Sequence, residues 1–224
     1  MESTSPIFLS HIVWLSAAGK TAHFHMLVGV LALQGDFREH LFALAECGVE
    51  AIAVKNLDEI NAIDALILPG GESTTIAKLA RTFGLFDRIS ARIHDGLPTY
   101  GSCAGMILLA DRIEGAMEGQ ESFGGIDMTV RRNAFGRQVD SFESDLSMVG
   151  ITAPPVRAIF IRAPWVDSLG AGVEVLASVE IDGQLHPVAV RQENLLATSF
   201  HPEITGDNRV HRYFIESVCK AVVA

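Results

Sequence analysis

Short runs of consecutive apolar residues alternate with helix-like segments through the first half of the chain. Each run is continuous, which is typical of a parallel strand buried on both faces. After the first run, Asp36 and Glu39 resemble the capping box that begins a helix, and Gly48 is placed to end it. The alternation predicts an α/β fold, a three-layer sandwich with helices on both faces of a mostly parallel central sheet. The predicted strands are 27–33, 51–54 and 65–68, and the further predicted helices are 74–82, 85–95 and 104–110.

The second half of the chain is richer in strand-like runs. A final helix is predicted over 208–223, after strands at 126–130, 158–161, 173–179, 187–191 and 195–200. Ligands of open α/β sheets bind at the carboxyl ends of the strands. Four residues that fall at such ends are therefore predicted to meet in one crevice. They are Gln34, Gly70, Gly71 and Cys103.

One strand-to-helix turn carries a cysteine between two glycines, in the order Gly101-Ser102-Cys103-Ala104-Gly105. This is the form of a nucleophile elbow, in which a strained turn presents the nucleophile and glycines let strand and helix pack closely. The alternative is a small buried residue in a glycine-rich turn, since most cysteines do no chemistry. The pentapeptide alone favours neither interpretation.

A histidine and a carboxylate follow the last apolar run, at His201-Pro202-Glu203. Residues two apart in an extended chain project to the same side, and Pro202 favours an extended His201. A carboxylate beside an imidazole holds one tautomer and stabilises the cation while the other ring nitrogen faces a nucleophile. Taken alone, the motif is better explained as a strand end with a solvated glutamate, so its value depends on the pairing with Cys103.

A double glycine ends the strand at 65–68 and leads into a helix through Glu72 and Ser73. Glycines after a strand let backbone N–H groups approach a ligand closely, which suits an oxyanion hole. Acid and hydroxyl groups at a helix start are also ordinary caps. That alternative is strong for Ser73 and Thr74 and weaker for the glycines Gly70 and Gly71.

Composition excludes some classes of partner. The chain has 224 residues and a net charge of −10, so a nucleic acid or an anionic membrane is not expected as a partner. The cysteines Cys47, Cys103 and Cys219 have neither disulfide nor metal-ligand spacing, which indicates a reducing, cytoplasmic setting. Residues 1–25 lack the pattern of a secretory signal and are expected to be a disordered or non-native leader, with a docked helix as the alternative, before a single domain, 26–224.

The chain resembles the glutaminase subunits of pyridoxal 5'-phosphate synthase, which are class I (triad) glutamine amidotransferases. The resemblance runs from about residue 26 to the C-terminus, and RNAFGRQVDSF at 132–142 distinguishes this family from other triad amidotransferases. Residues 123–125 read FGG where the family usually has an LGL-like run, which touches no catalytic position. The segments that carry the resemblance are 29–36, 66–75, 98–106, 130–142, 160–164 and 199–203.

The resemblance implies a flavodoxin-like, class I glutamine amidotransferase fold and the hydrolysis of L-glutamine to glutamate and ammonia, with neither cofactor nor metal. It implies three groups of site residues. The catalytic triad is Cys103, His201 and Glu203, the oxyanion hole is Gly71 and Ala104, and the glutamine-binding residues are Gly71, Glu72, Ser73, Arg132, Ile161 and Arg162. For Arg162, an ion pair that closes a loop is an equally good interpretation.

The resemblance also implies a partner, the synthase subunit that uses the ammonia to make pyridoxal 5'-phosphate (vitamin B6). Twelve glutaminase subunits are expected on a core of twelve synthase subunits, with residues 34–36 and 133–142 as candidate docking surfaces. Two other interpretations stay open: an amidotransferase that serves a different synthase, against which the 132–142 run speaks, and a non-catalytic protein that uses its cysteine as a redox sensor.

Overall fold

The computed structural model of the chain describes residues 13–15, 21–23, 26–132 and 141–219. The remainder of the predicted leader and most of the 133–142 docking candidate lie outside these residues. The strands are β1 (Val13–Leu15), β2 (Thr21–His23), β3 (Leu27–Leu31), β4 (Glu50–Val54), β5 (Ala65–Leu68), β6 (Thr99–Ser102), β7 (Ala110–Glu114), β8 (Ile126–Arg131), β9 (Ser141–Leu146), β10 (Val156–Ile161), β11 (Trp165–Leu169), β12 (Glu174–Ile181), β13 (Gln184–Gln192) and β14 (Leu195–Thr198).

Six α-helices are found in the described part of the chain. They are α1 (Phe37–Glu46), α2 (Leu57–Ala62), α3 (Ser73–Thr82), α4 (Phe86–His94), α5 (Ala104–Leu109) and α6 (Arg209–Tyr213). A 3₁₀ turn spans Pro202–Ile204, and α6 continues as a π-helical segment over Phe214–Cys219.

A seven-stranded sheet, in the order β12-β13-β14-β6-β5-β3-β4, forms the centre of the described residues. The strands from β14 to β4 run parallel to their neighbours, whereas β12 and β13 add an antiparallel edge. Smaller sheets join β7, β8 and β11 on one side and β9 with β10 on the other, and β1 pairs with β2. The predicted α/β sandwich with a mostly parallel sheet is confirmed.

Two hydrophobic cores lie on opposite faces of this sheet. Along β5, Leu66 and Leu68 enter the core that contains α3, α4 and α5, while Ala65 and Ile67 enter the core that contains α1 and α6. A strand whose residues all enter one core or the other must be apolar throughout, which explains the continuous runs in the sequence. Among the described residues, no helix is long and apolar enough to cross a membrane.

The parallel strands bring distant segments to one edge. The ladder between β14 and β6 pairs Thr198 with Ser102, so the residues that follow both strands emerge side by side. The next strand, β5, is followed by Gly70 and Gly71, and β3 is followed by Gln34. The residues predicted to meet at the carboxyl ends of the strands therefore emerge at one edge of the sheet.

Several local predictions differ from the structure. The capping box predicted at Asp36 and Glu39 is wrong, because Asp36 makes no side-chain cap bond to α1. A capping box instead begins α2, where Asn56 accepts from the backbone of Glu59 and the Glu59 carboxylate accepts from the backbone of Asn56. Five strands and the helix α2 were not predicted, and β13 begins three residues before its predicted start. The unpredicted strands are β1, β2, β7, β9 and β11.

Candidate active site

Cys103 occupies the turn between β6 and α5 in a conformation that side chains rarely adopt. Its backbone has φ 49° and ψ −100°, and its N–H donates to the Thr198 carbonyl at 2.8 Å, which extends the ladder between β6 and β14. The residue is 7% exposed, and its Sγ lies 3.9 Å from the Ile161 carbonyl oxygen. A strained, backbone-anchored cysteine at the rim of a crevice is the arrangement of a nucleophile elbow.

The glycines around the cysteine are required by close packing. A Cβ at Gly105 would overlap the carbonyl group of Leu68, so α5 lies directly against the end of β5. Ala104 begins α5, at a position where backbone N–H groups have no partner within the helix. This N–H is therefore available next to the thiol.

His201 and Glu203 form a hydrogen-bonded pair beside this cysteine. The Nδ1 atom of His201 lies 2.7 Å from Glu203 Oε1, and both residues are buried. The pair is held by a 3₁₀ turn that begins at Pro202, not by the extended chain that the sequence suggested. The His201 backbone N–H donates to the Ile159 carbonyl at 2.9 Å, which fixes the turn to β10.

The protonation of His201 reflects two opposing causes. Burial lowers the pKa of the ring, but its hydrogen bonds to Cys103 and Glu203, together with their charges, outweigh this and raise the pKa to about 10. The imidazolium is consequently the favoured form at neutral pH. The alternative of a surface histidine beside a solvated glutamate does not describe this site.

The loop after β3 closes another side of the crevice. Asp36 Oδ2 lies 3.7 Å from His201 Nδ1, and a Cβ at Gly35 would overlap the Gly70 carbonyl. A Cβ at Gly70 would in turn overlap the His201 ring. One ligand atom from each of Asp36, His201 and Glu203 lies within 4.8 Å of the others, a set that could hold a metal ion. The His201 and Glu203 atoms of that set already hydrogen-bond to each other.

Gly71 adopts φ +144°, which favours glycine, and a Cβ there would lie 2.6 Å from Gln34 Oε1. The following N–H, of Glu72, donates to the same Gln34 oxygen at 2.8 Å. The double glycine is thus held against the loop after β3.

Glu72 has two functions visible in the structure. Its carboxylate caps α3 by accepting from the Thr75 N–H at 2.8 Å and the Thr74 hydroxyl at 2.7 Å. It also pairs with Arg132, whose Nη2 lies 2.9 Å from Glu72 Oε1. Burial alone would raise the pKa of this carboxyl, but the hydrogen bonds from Thr74 and Thr75 lower it overall. The cap of α3 is therefore Glu72, which also makes the ion pair, whereas Ser73 and Thr74, for which capping was the stronger expectation, do not cap this helix.

Gln120 joins this group, although no sequence motif marks it. Its Oε1 accepts from Arg132 Nη1 at 2.5 Å, and its Nε2 donates to Ser73 Oγ at 3.2 Å. The residue stands in a polar loop without periodicity, so only its closeness to Arg132 in the fold singles it out.

Ile161 is the last residue of β10 and lies beside the Cys103 thiol, and Arg162 follows it in the chain. The Ile161 carbonyl faces Cys103 Sγ, and Arg162 has φ 44° and an exposed side chain. Within the described part of the chain, no ion pair joins Arg162 to another side chain. The ion-pair interpretation of Arg162 thus gains no support from these residues.

The mostly parallel sheet, with a cysteine elbow after one strand and a histidine–glutamate pair after the next, defines a class I glutamine amidotransferase-like fold. The chain belongs to the SNO glutamine amidotransferase family, whose model matches residues 30–220. The family resemblance predicted from the sequence is confirmed.

Individual relatives agree with this assignment. The chain is 61% identical over 194 residues to the pyridoxal 5'-phosphate synthase subunit PdxT of Mycolicibacterium vanbaalenii, covering 85% of this chain and 97% of the relative. It is 60% identical over 193 residues to the PdxT subunit of Nocardia farcinica, covering 85% of each chain. A crystal structure of a glutamine amidotransferase superimposes with a TM-score of 0.78 at 50% identity, covering 86% of this chain and 98% of that one.

Proposed function

We propose that the chain hydrolyses the side-chain amide of L-glutamine and supplies the ammonia to the synthase subunit of a pyridoxal 5'-phosphate synthase. One observation carries the chemistry: the cysteine in the strained turn after β6 lies beside a histidine whose pKa it helps to raise, and the Nδ1 atom of that histidine lies 2.7 Å from a buried glutamate. A nucleophile, a base and a group that orients the base are the three parts that acyl transfer requires.

The proposed reaction runs through a thioester. The Cys103 thiolate attacks the amide carbon, and the N–H groups of Gly71 and Ala104 stabilise the tetrahedral oxyanion. The His201 imidazolium protonates the departing amine, so ammonia leaves and a glutamyl thioester remains. His201 then takes a proton from water, which attacks the thioester and releases glutamate and the free cysteine. Glu203 orients the imidazole both while the thioester forms and while it is hydrolysed.

Glutamine has an α-carboxylate and an α-ammonium group, and the crevice offers a partner for each. Arg132 presents a guanidinium fork to the carboxylate, and Glu72, 2.9 Å from Arg132, suits the ammonium. Ser73, Ile161 and Arg162 complete the proposed binding site. The Ile161 carbonyl supports this placement because it lies 3.9 Å from the thiol.

The partner is proposed from the names of the relatives. Proteins about 60% identical to this chain are named subunits of pyridoxal 5'-phosphate synthase, which favours this partner over other synthases. We further propose a complex of twelve subunits of each kind, a cytoplasmic location, and a functional domain of residues 26–224. Residues 34–36 at the crevice remain a candidate docking surface, and residues 133–140 of the other candidate lie outside the described residues.

The deciding experiment measures glutamate and ammonia release from glutamine, with the chain alone and after addition of a synthase subunit. We expect activity to rise on mixing and to vanish in Cys103→Ala. Equal activity without the partner would contradict the coupling but keep the nucleophile. Activity that persists in Cys103→Ala would refute the mechanism, and no activity in any mixture would favour a non-catalytic role for the cysteine.

A further inference from the structure

Two more histidines, His40 and His211, lie behind the proposed triad with no exposed surface. His40 comes from α1 and His211 from α6, and the His40 Nδ1 and His211 Nε2 atoms are 2.9 Å apart. The other nitrogen of His40, Nε2, lies 3.0 Å from Ser102 Oγ and 3.6 Å from Glu203 Oε1. Since Ser102 precedes the cysteine and Glu203 pairs with His201, the ring of His40 contacts both sides of the triad.

Both of these rings are neutral at physiological pH. Burial, followed by the charges of His211 and His201, lowers the pKa of His40 well below its usual value. Burial lowers the pKa of His211 to about 4. Each neutral ring carries a single N–H, so the direction of every hydrogen bond along the pair follows from the choice of tautomer.

Two arrangements of protons are possible, and the surroundings favour one. If His40 carries its proton on Nδ1, it donates to His211 Nε2, and the His211 Nδ1–H is then a buried donor without an acceptor among the described residues. The bare His40 Nε2 would also point its lone pair towards the Glu203 carboxylate. If His40 carries its proton on Nε2, the His211 Nε2–H donates to His40 Nδ1. The His40 Nε2–H then faces both Ser102 Oγ and Glu203 Oε1.

The Glu203 carboxylate needs such a donor. Its side chain has no exposed surface, its Oε1 accepts from His201, and its Oε2 has no hydrogen-bond partner among the described residues. A buried carboxylate is stabilised only by donors and positive charge around it. An N–H dipole 3.6 Å from Oε1 adds electrostatic stabilisation of this charge to the hydrogen bond from His201.

We propose that His40 is a positioning residue for the triad, whose Nε2–H holds the Glu203 carboxylate, and through it the His201 ring, in the orientation that serves Cys103. The proposal rests on the proposed glutaminase function. Two other titratable groups lie against the three histidine rings. The Tyr100 ring lies edge-on to His40 and His211, and Asp36 Oδ2 lies 3.7 Å from His201 Nδ1.

The first test requires no substrate. The intact chain, labelled with ¹⁵N at histidine, is studied by two-dimensional NMR between pH 5 and 8, and His40 is assigned by comparison with His40→Gln. We expect a neutral His40 ring protonated on Nε2 throughout this range. A ring protonated on Nδ1, or one that becomes charged within the range, would overturn the proposal even if the chain proved to have no glutaminase activity.

The second test compares two replacements of His40 in the complex with the synthase subunit. His40→Leu removes the donor, whereas His40→Gln keeps an amide N–H near the position of Nε2. We expect His40→Leu to lower kcat about tenfold with little change in KM for glutamine, and His40→Gln to restore kcat to within about threefold. His94→Gln is the matched control, because His94 is exposed on α4 and bonds to the Ser90 carbonyl.

The pH profile separates positioning from packing. A poorly held Glu203 raises the pKa of His201 less, so the basic limb of kcat/KM should move to lower pH in His40→Leu and return in His40→Gln. If kcat falls only in proportion to the folded fraction, with an unmoved basic limb and no rescue by Gln, His40 is a packing residue and the proposal is wrong. If His40→Leu does not fold, the tautomer of His40 measured by NMR and the kcat and pH profile of His40→Gln decide between positioning and packing.

Discussion

Gly101 and Gly105 lie against each other across the cysteine turn, so closely that a Cβ on Gly101 would overlap the carbonyl group of Gly105. The contact joins the last part of β6 to the first turn of α5. It brings the backbone N–H groups at the start of α5 close to the end of the strand. The glycines are thus a packing requirement of the turn that presents Cys103.

Replacing Gly101 with alanine should damage both stability and activity. The added Cβ meets backbone atoms that cannot move away without displacing Cys103, so we expect a loss of about 2 kcal/mol or more in the free energy of unfolding, with a large fall in kcat. Denaturant unfolding and glutamine hydrolysis measure the two effects. Gly84→Ala is the control: at φ +70° with no atom within 4 Å of the added Cβ, it should cost about 1 kcal/mol and leave kcat unchanged. Equal effects of both variants on kcat would contradict the packing argument.

Replacing Cys103 with glycine should yield an inactive protein that is more stable than Cys103→Ala. Alanine keeps the strain of φ 49°, whereas glycine adopts this conformation freely. We expect an advantage of about 1 kcal/mol for glycine, which corresponds to a Tm about 2–4 °C higher for a chain of this size. Thermal unfolding of the two variants measures the difference. A lower Tm for the glycine variant would show that the turn is not strained.

Glu203→Gln should lower kcat by about two to four orders of magnitude, because the imidazole loses both its orienting partner and a stabilising charge. The pKa of His201, about 10 in the folded chain, should fall in the variant, so the basic limb of kcat/KM should move to lower pH. Rates from pH 6 to 10.5 test this. An unmoved basic limb would mean that Glu203 does not act on His201.

The same raised pKa links stability to pH. An unfolded histidine titrates near about 6.5. Because the folded ring binds its proton more tightly, its contribution to stability is fully present below that pH and is lost as pH rises towards about 10. The free energy of unfolding should therefore fall over this interval, and it should fall less in Glu203→Gln. Urea unfolding at several pH values measures both slopes, and equal slopes would contradict the assignment.

Arg132→Lys should raise KM for glutamine about tenfold with a small change in kcat. A lysine keeps the charge but loses the fork that contacts Glu72 and Gln120 and would grip the α-carboxylate. Arg131→Lys is the matched control, because Arg131 pairs with Glu114 and Asp167 and its side chain is half-exposed. Steady-state kinetics of both variants separate the two arginines. Equal KM values would place the carboxylate site elsewhere.

The central strands could be predicted because burial on both faces leaves only apolar residues in them. β5 was predicted at its observed bounds, and β3 and β4 to within two residues. β9 was missed because it alternates partly buried and exposed residues, with charged side chains at Glu143 and Asp145. The six-residue α2 was missed because a helix so short shows no periodicity.

Local motifs mark the residues of the proposed triad, and the strand ends predict which loops lie around them, but no sequence signal marks the polar side chains that support them. Cys103 stands in a glycine motif, and His201 stands in a short motif with Glu203. His40 and Gln120 carry no such signal, because His40 is one polar residue on an otherwise ordinary helix and Gln120 stands in an irregular loop. Their positions depend on contacts with residues 171 and 12 positions away.

The hydrogen-bond ladder between β14 and β6 fixes the relative positions of the segments that follow the two strands. Its register pairs Thr198 with Ser102, so the backbone hydrogen bonds of two neighbouring strands set the separation between Cys103 and His201. The residues proposed to grip glutamine stand largely on other segments, at the start of α3 and at the ends of β8 and β10. Changes in those segments should therefore alter which amide the proposed site accepts, while the distance between the two proposed reacting groups stays as it is.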